Sequence, residues 1–420
     1  MEILNIGMKQ TFFNLRTFYH RWIGLALIML TPICSWGQET QANIAEELSK
    51  HGFENVRWKE TKEECIYTIE NNIYKASGIG ISRVIDIIQK HGLPTNKRCK
   101  VIVTNLDVPE LSLTYDPSLC DSTAMGNKVG WQTSYEIGQS WDSIKKEKAR
   151  NSSRFKVDIL IYPQLSFKNL IITQIYQVLF TLNPAIEVSL WPGMKFTGQL
   201  IIPVYNDGYG YLQDKVHPGF ITLSQQFRLP FNIKGKATMG YFNADRYGAD
   251  FMLFYPFKDE RFSLEARLGS VAIGYWDGFR LHYDTDFSMT WTLGANFYWP
   301  RYNTSFSLKG EQYLMGEKGV KFEMIRHFRY ASVGFYAQKA QEANSNGGFR
   351  IQVLLPPYNV KRFKNKYIPR LNTSSNMGIV YNAGNERYYY RQYRSSADEN
   401  IMNNNRFNPY FIKSELSNNY

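Results

Sequence analysis

Polarity alternates residue by residue along most of this chain, and that constrains its fold more than any other feature. Phe196, Leu200, Ile202 and Val204 are apolar, while Lys195, Thr197 and Gln199 face the other way. Ile221, Leu223, Phe227 and Leu229 then oppose Thr222, Ser224, Gln226 and Arg228. The clearest run sets Phe287, Met289, Trp291, Leu293 and Phe297 against Ser288, Thr290, Thr292 and Asn296. A period of two belongs to strands, not helices. Pro192-Gly193, Asn206-Asp207-Gly208 and Pro218-Gly219 supply turns between such runs.

Further alternating segments follow at Phe262–Leu268, Phe306–Lys309, Val320–Met324 and Phe349–Leu355. A soluble β-sandwich alternates as well, but three features argue for a membrane barrel. The runs reach about ten residues, the length of a tilted crossing. Aromatic residues gather at their ends, as in Tyr255-Pro256-Phe257 and Phe297-Tyr298-Trp299, where an interfacial girdle sits. The polar faces carry full charges in mid-strand, which a dry sandwich core could not bury unpaired. The expectation is a mainly β chain: a transmembrane antiparallel β-barrel over residues 153–420, with about 12 to 16 strands and an even number preferred. Within its last part, Met377–Tyr381 and Tyr388–Tyr393 read as strands, Ile401–Arg406 as a loop and Phe407–Ile412 as a closing strand.

The candidate lumen-lining residues are Arg228, Asp250, Arg261, Glu265, Arg267, Lys309, Lys321, Glu323 and Arg350. Two readings stand side by side. Either these charges pair with one another and stiffen a filled barrel, or their cationic surplus lines a path for anions.

Residues 1–37 read as a signal peptide. Lys9, Arg16 and Arg21 precede an apolar core from Trp22 to Cys34, which is shorter than the roughly 20 residues of a spanning helix. Thr31-Pro32-Ile33-Cys34 lacks a small residue before the cysteine, which argues against acylation there. Residues 38–118 form a small α+β domain expected in the periplasm, with helical spacing over 79–91 and strands at Cys65–Glu70 and Lys100–Asn105. Residues 119–152 read as a linker. His51 and His91 each follow a lysine at a helix end, where a cation suits the dipole.

Of the four cysteines, Cys65, Cys99 and Cys120 follow the signal segment. Their odd number allows at most one internal disulfide, and their spacing fits no zinc template. The chain carries a net charge of +12, but Lys and Arg are scattered among the strands, so no nucleic-acid surface is indicated. Outer-membrane lipids or an acidic polymer are the more suitable partners. Mean hydropathy is −0.38, and no later apolar run approaches a membrane helix. A barrel stays compatible with that, because its strands show lipid only every second residue.

His282-Tyr283-Asp284-Thr285-Asp286 brings a histidine beside carboxylates, at a strand end where acidic loops are common. No hydrolase, metalloprotease or phosphate-loop motif is present. The expectation is that the protein is not an enzyme and uses no cofactor or metal.

Trp191-Pro192-Gly193 opening a strand, Phe227-Arg228-Leu229-Pro230-Phe231 closing another, and Gly240–Gly248 (GYFNADRYG) follow in order. Gly310–Gly319 (GEQYLMGEKG), Arg326-His327-Phe328, Gly347–Ile351 and Pro356-Pro357 continue the series. Together, over roughly residues 153–357, they resemble the YjbH-like (GfcD-like) outer-membrane β-barrel proteins. The resemblance implies a Gram-negative outer-membrane barrel that assists export or surface assembly of an exopolysaccharide or capsule. Its partners would be an anionic polysaccharide and periplasmic export proteins. A non-conducting barrel that holds a partner, or a general diffusion porin, are the alternatives.

Overall fold

The computed structural model describes residues 43–117, 130–169, 176–341, 343–365, 367–373, 376–382 and 392–417. The expected signal segment with Cys34, and Cys120, lie outside these residues.

The N-terminal domain begins with a helix, α1 (43–51). A sheet follows in the order β1 (Glu54–Glu60), β2 (Glu64–Glu70), β3 (Arg98–Asn105), β4 (Val108–Tyr115) and β5 (Trp131–Ser134). Helix α2 (Ser77–Lys90) makes the crossover between the parallel strands β2 and β3. Its Ile81, Val84, Ile85 and Ile88 repeat at helical spacing and are buried against the sheet with Ile44, Leu48 and Phe53. Burying each such side chain is worth about 1.5–3 kcal/mol. Gly92, at φ 92°, lets the chain leave the helix as a side chain would not.

The expected linker belongs in part to this domain. Residues 131–134 add strand β5 to β4, and α3 (Ser140–Ile144) follows. Ile137, Ile144 and Trp141 cover Ile66 and Ile102 on the second face of the sheet. A four-residue strand is too short to show a period, so only packing reveals it. Cys65 and Cys99 stand opposite each other across β2 and β3 as buried free thiols, and burial pushes the Cys65 thiol up to about 11. The His51 Nε2 lies 3.0 Å from the Tyr74 hydroxyl, and burial, with Lys361 and Arg83 nearby, lowers its pKa. His91 pairs with Glu47.

The remainder is one large antiparallel sheet. Its strands are β6 (Val157–Asn169), β7 (Tyr176–Ser189), β8 (Met194–Asp207), β9 (His217–Arg228), β10 (Lys234–Phe242), β11 (Arg246–Pro256) and β12 (Phe262–Asp277). They continue as β14 (Ser288–Trp299), β15 (Thr304–Gln312), β16 (Lys318–His327), β17 (Ala331–Ala340), β18 (Asn346–Leu354) and β20 (Asn376–Asn382), each paired with the next. The short strand β13 (Arg280–Tyr283) extends β12 as a hairpin. At the other edge, β19 (Arg370–Thr373) pairs with β6 in parallel. Strand β20 lies against β6, so the sheet curls round into a barrel.

The two faces are inverted relative to a soluble protein. Leu293 is 61% exposed and Val320 58%, with Leu308, Met289, Leu264 and Ile202 also outside. Thr222, Ser224, Thr238, Asp250, Lys321 and Glu323 are buried on the inner face. An apolar exterior around a polar interior is stable only if lipid bathes the outside, and the architecture is of the outer-membrane type. The alternation read from the sequence therefore gives the correct register.

Among the described residues the path has fourteen strands, within the expected range; leaving aside the four-residue β19, thirteen remain, an odd number. Strands β6 and β20 thus run in the same direction. The N-terminal domain sits at the end of the barrel where β6 starts, called the near end below. Since β20 also starts there, it ends at the far end.

Residues 392–417 return through the interior. Phe407–Ile412, expected as a closing strand, instead belongs to a turn and to helix α5 (Pro409–Ser417). Ile401–Asn404, within the expected loop, is a helical turn, α4, whose Asn400 side chain accepts from the N–H groups of Met402 and Asn403. Of the expected strand Tyr388–Tyr393, residues 388–391 lie outside the described residues and Tyr393 is inside the lumen, not in the wall.

Candidate functional site

The returning tail passes along the lumen from the far end to the near end. In the far half, Gln392 donates to Glu311 at 2.8 Å. The Tyr393 hydroxyl donates to Asp250 at 2.8 Å, and its ring stacks on Phe242 at 5.6 Å. The wall makes room here at Gly269, because a Cβ at that position would collide with the Tyr393 hydroxyl.

Deeper in, the acidic pair Asp398-Glu399 meets wall cations. Lys195 Nζ lies 2.9 Å from Asp398 and 3.1 Å from Glu187. Arg267 bridges Asp250 at 2.7 Å and Glu399 at 2.8 Å. Lys236 donates to the Ser396 hydroxyl at 3.0 Å. At the near end, α5 leaves the barrel and completes the N-terminal domain. Ile412 and Leu416 are part of that domain's core, and Glu415 accepts from the Gly78 N–H at 3.0 Å. Gly78 has no Cβ because Glu415 occupies that space.

The expected lumen residues fall into three groups. Asp250 and Arg267 hold the tail, as described. Glu265, Lys309, Lys321, Glu323 and Arg350 form a second network on β12, β15, β16 and β18, beginning two residues from Arg267 on β12. Lys309 bonds Glu265, while Glu323 receives Arg350 at 2.9 Å and Lys321 at 3.4 Å. These charges are paired, which is the arrangement of a filled barrel. Arg228 and Arg261 do not line the lumen. Arg261 lies in the turn before β12 and pairs with Asp259 at 2.6 Å. Arg228 ends β9 and donates to the backbone oxygens of Pro109, Glu110 and Tyr135 in the N-terminal domain. Alternation assigns a face, but not how far along the barrel a residue sits.

Arg228 belongs to a polar seam that fixes the domain on the near end. Lys234 pairs with Glu110 at 2.7 Å, and Glu260 accepts from the Ser134 hydroxyl and the Tyr135 N–H, each at 2.6 Å. The Gly193 N–H donates to Leu106 at 2.7 Å. This turn needs glycine, since φ is 81° and a Cβ would collide with the Gln226 oxygen. Arg362 joins Glu54 of the domain to Asp158 of β6, both at 2.7 Å. Burial opposes ionisation of Glu54, but Arg362 and Lys156 outweigh it and hold the carboxyl below its usual range. Lys75 donates to Leu355 and to the Thr373 hydroxyl, and burial lowers its ammonium to about 8. Burial likewise raises Glu415. The barrel is thus filled along its axis and capped at its near end.

Sequence reasoning missed Glu187, Lys236, Tyr393, Asp398 and Glu399. The available signal was the acidic dipeptide at 398–399, in a tail whose neighbours from Arg391 to Arg406 include three arginines. His282 lies flat on Tyr275, with ring centroids 5.0 Å apart. Among the described residues, no cluster of His, Cys, Asp and Glu could hold a metal.

Arg267 offers a test of the arrangement. Removing one partner of a buried charge network costs about 3–5 kcal/mol, because the other charges stay buried. Arg267→Met should lower stability by that order, measured by urea unfolding of the detergent-solubilised barrel. Adding Asp250→Asn and Glu399→Gln should restore most of the loss. An unchanged midpoint in the single variant would mean that the network carries no stability.

No family model and no curated protein matches the sequence. Among solved structures, the chain is similar to a mutant porin of Rh. blastica, with 10% identity over 47% of this chain and 89% of that one, at a TM-score of 0.29. It is also similar to a loop-deleted OmpT, an outer membrane protein of Vibrio cholerae, with 10% identity over 47% and 86%, at a TM-score of 0.25. The sheet order and inverted polarity above establish the barrel independently of these likenesses.

Proposed function

We propose that the protein is an outer-membrane barrel that is shut at rest and assists export or surface assembly of an exopolysaccharide. The observation that carries the closed state is the tail, residues 392–417, lying along the lumen and docking its last helix into the N-terminal domain. A general diffusion porin needs an open lumen, so this reading is set aside. The polysaccharide role is supported by the ordered motifs from Trp191 to Pro357 that resemble YjbH-like proteins. Near-end turns such as 328–330 and 190–193 are short and far-end connections such as 208–216 and 278–287 longer, with 355–369 a long near-end exception and 243–245 a short far-end one. Short turns on the periplasmic side and longer loops outside are the rule for such barrels. On this reading the capping domain faces the periplasm, where it can receive export proteins. No chemistry is assigned to it: the protein is a scaffold and gate, not an enzyme.

The test combines fractionation with a cell assay. The protein should sediment with outer membranes and show heat-modifiable gel mobility. Cells lacking it should carry less surface polysaccharide, restored by the wild-type gene. Recovery as a soluble periplasmic protein would refute the membrane reading, and unchanged polysaccharide would refute the export role.

A further inference from the structure

Lys195, Lys236 and Arg267 come from three different strands, β8, β10 and β12, and converge on one tail segment, Lys195 and Arg267 on two carboxylates that are not part of the wall and Lys236 on the Ser396 hydroxyl beside them. The tail supplies those carboxylates through Asp398 and Glu399. Without the tail, the wall keeps these three cations against Glu187 and Asp250, its own two carboxylates in contact with them. The geometry points to a carboxylate-binding site that the tail occupies as a stand-in, and we propose that its ligand is a carboxylate-bearing polysaccharide chain. This deepens the export role and rests on the closed-barrel reading above.

Three physical arguments support the assignment. Charge-assisted hydrogen bonds from Lys and Arg to carboxylate are the strong ones, and a fork such as Arg267 can address two acceptors at once. Between these charged groups the inner wall is lined by hydroxyls. Ser224 and Thr238 lie in a single cross-strand row between Lys195 and Asp250, and Thr197 and Thr222 pair in the next row. Hydroxyls both donate and accept, which suits a polyhydroxylated chain running past a fixed acidic group. Finally, a tethered competitor keeps the site shut until a ligand or partner outcompetes it, so that one set of contacts serves both closure and recognition.

The test uses the full mature protein in detergent or planar bilayers, with oligogalacturonate as the probe. Asp398→Asn/Glu399→Gln removes the competing charges and leaves every wall cation in place. It should bind oligogalacturonate at least about tenfold more tightly than wild type, because the tail's hold on the site is weakened. Adding Arg267→Gln to that pair should remove the gain. Neutral dextran should bind neither form, and polyglutamate should bind the double variant more weakly than the sugar polymer does.

Unchanged oligogalacturonate affinity in the double variant would overturn the proposal. Equal binding of dextran would overturn the carboxylate requirement, and equal or tighter binding of polyglutamate would overturn the sugar assignment. Failure of the closed-barrel reading has a separate signature, namely channels in wild type that match those of a tail-deleted form. If deletion opens channels that oligogalacturonate neither enters nor blocks, the barrel is gated by its tail but the ligand assignment is wrong.

Discussion

Deleting residues 392–420 is expected to turn a silent barrel into a conducting one. In planar bilayers the wild-type protein should give no steps above background, and the deleted form should give discrete channels. The reason is steric and electrostatic together. Tyr393 fills the space above Gly269, and Asp398 and Glu399 neutralise Lys195 and Arg267 inside the lumen. Removing them leaves a charged, water-accessible interior, and inner-face cations favour anion passage. The deletion also strips Ile412 and Leu416 from the core of the N-terminal domain, and truncating core residues costs about 2–5 kcal/mol each. A second variant avoids this. Asp398→Lys/Glu399→Lys sets like charges against Lys195 and Arg267, drives the tail from the lumen and leaves α5 intact. Silence from both variants, with each correctly assembled, would show that the tail is not the obstruction.

The second large effect concerns the outer face. Leu293 is 61% exposed in mid-strand β14, among Leu264, Leu308 and Phe322, which are likewise outside. An arginine there must sit in hydrocarbon, at a cost of about 2–4 kcal/mol near the bilayer midplane. Leu293→Arg should therefore cut the yield of heat-modifiable barrel in the outer membrane. Its neighbour Thr292 faces inward, paired in register with Arg267 and Glu311. Thr292→Asn keeps a polar group beside polar neighbours and should assemble nearly normally. Comparable loss in the two variants would remove the inside–outside register described above.

Much of this architecture was legible in the chain because it rests on local rules. A strand turns each successive side chain to the opposite face, so Leu293 and Thr292 declare their sides with no knowledge of the rest. The same holds for the polar placing of Asp250, Glu265, Arg267, Lys309, Lys321, Glu323 and Arg350. Helix α2 was legible from Val84, Ile85 and Ile88, and its end from Gly92. Local rules also set the glycine turn at Gly193, where the backbone needs a positive φ.

What the sequence could not show depends on global counts and on distance. Parity requires every strand, and the four-residue β19 is too short for periodicity to fix, although Met377–Tyr381 correctly marked β20. That parity decides which end the chain leaves from, and so whether the tail hangs free or must return through the lumen. Strand β5 gains its place only by pairing with β4, and α5 gains its place only because Gly78 and the apolar face of α2 receive it from more than 300 residues away in sequence. The pairing of Asp398 with Lys195 and of Glu399 with Arg267 is likewise a product of closure. Alternation made the polar face of the wall predictable, but only the closed barrel brought strands β8, β10 and β12 around a single segment. Whether its charges lined a path or held a plug was therefore a property of the tertiary structure alone.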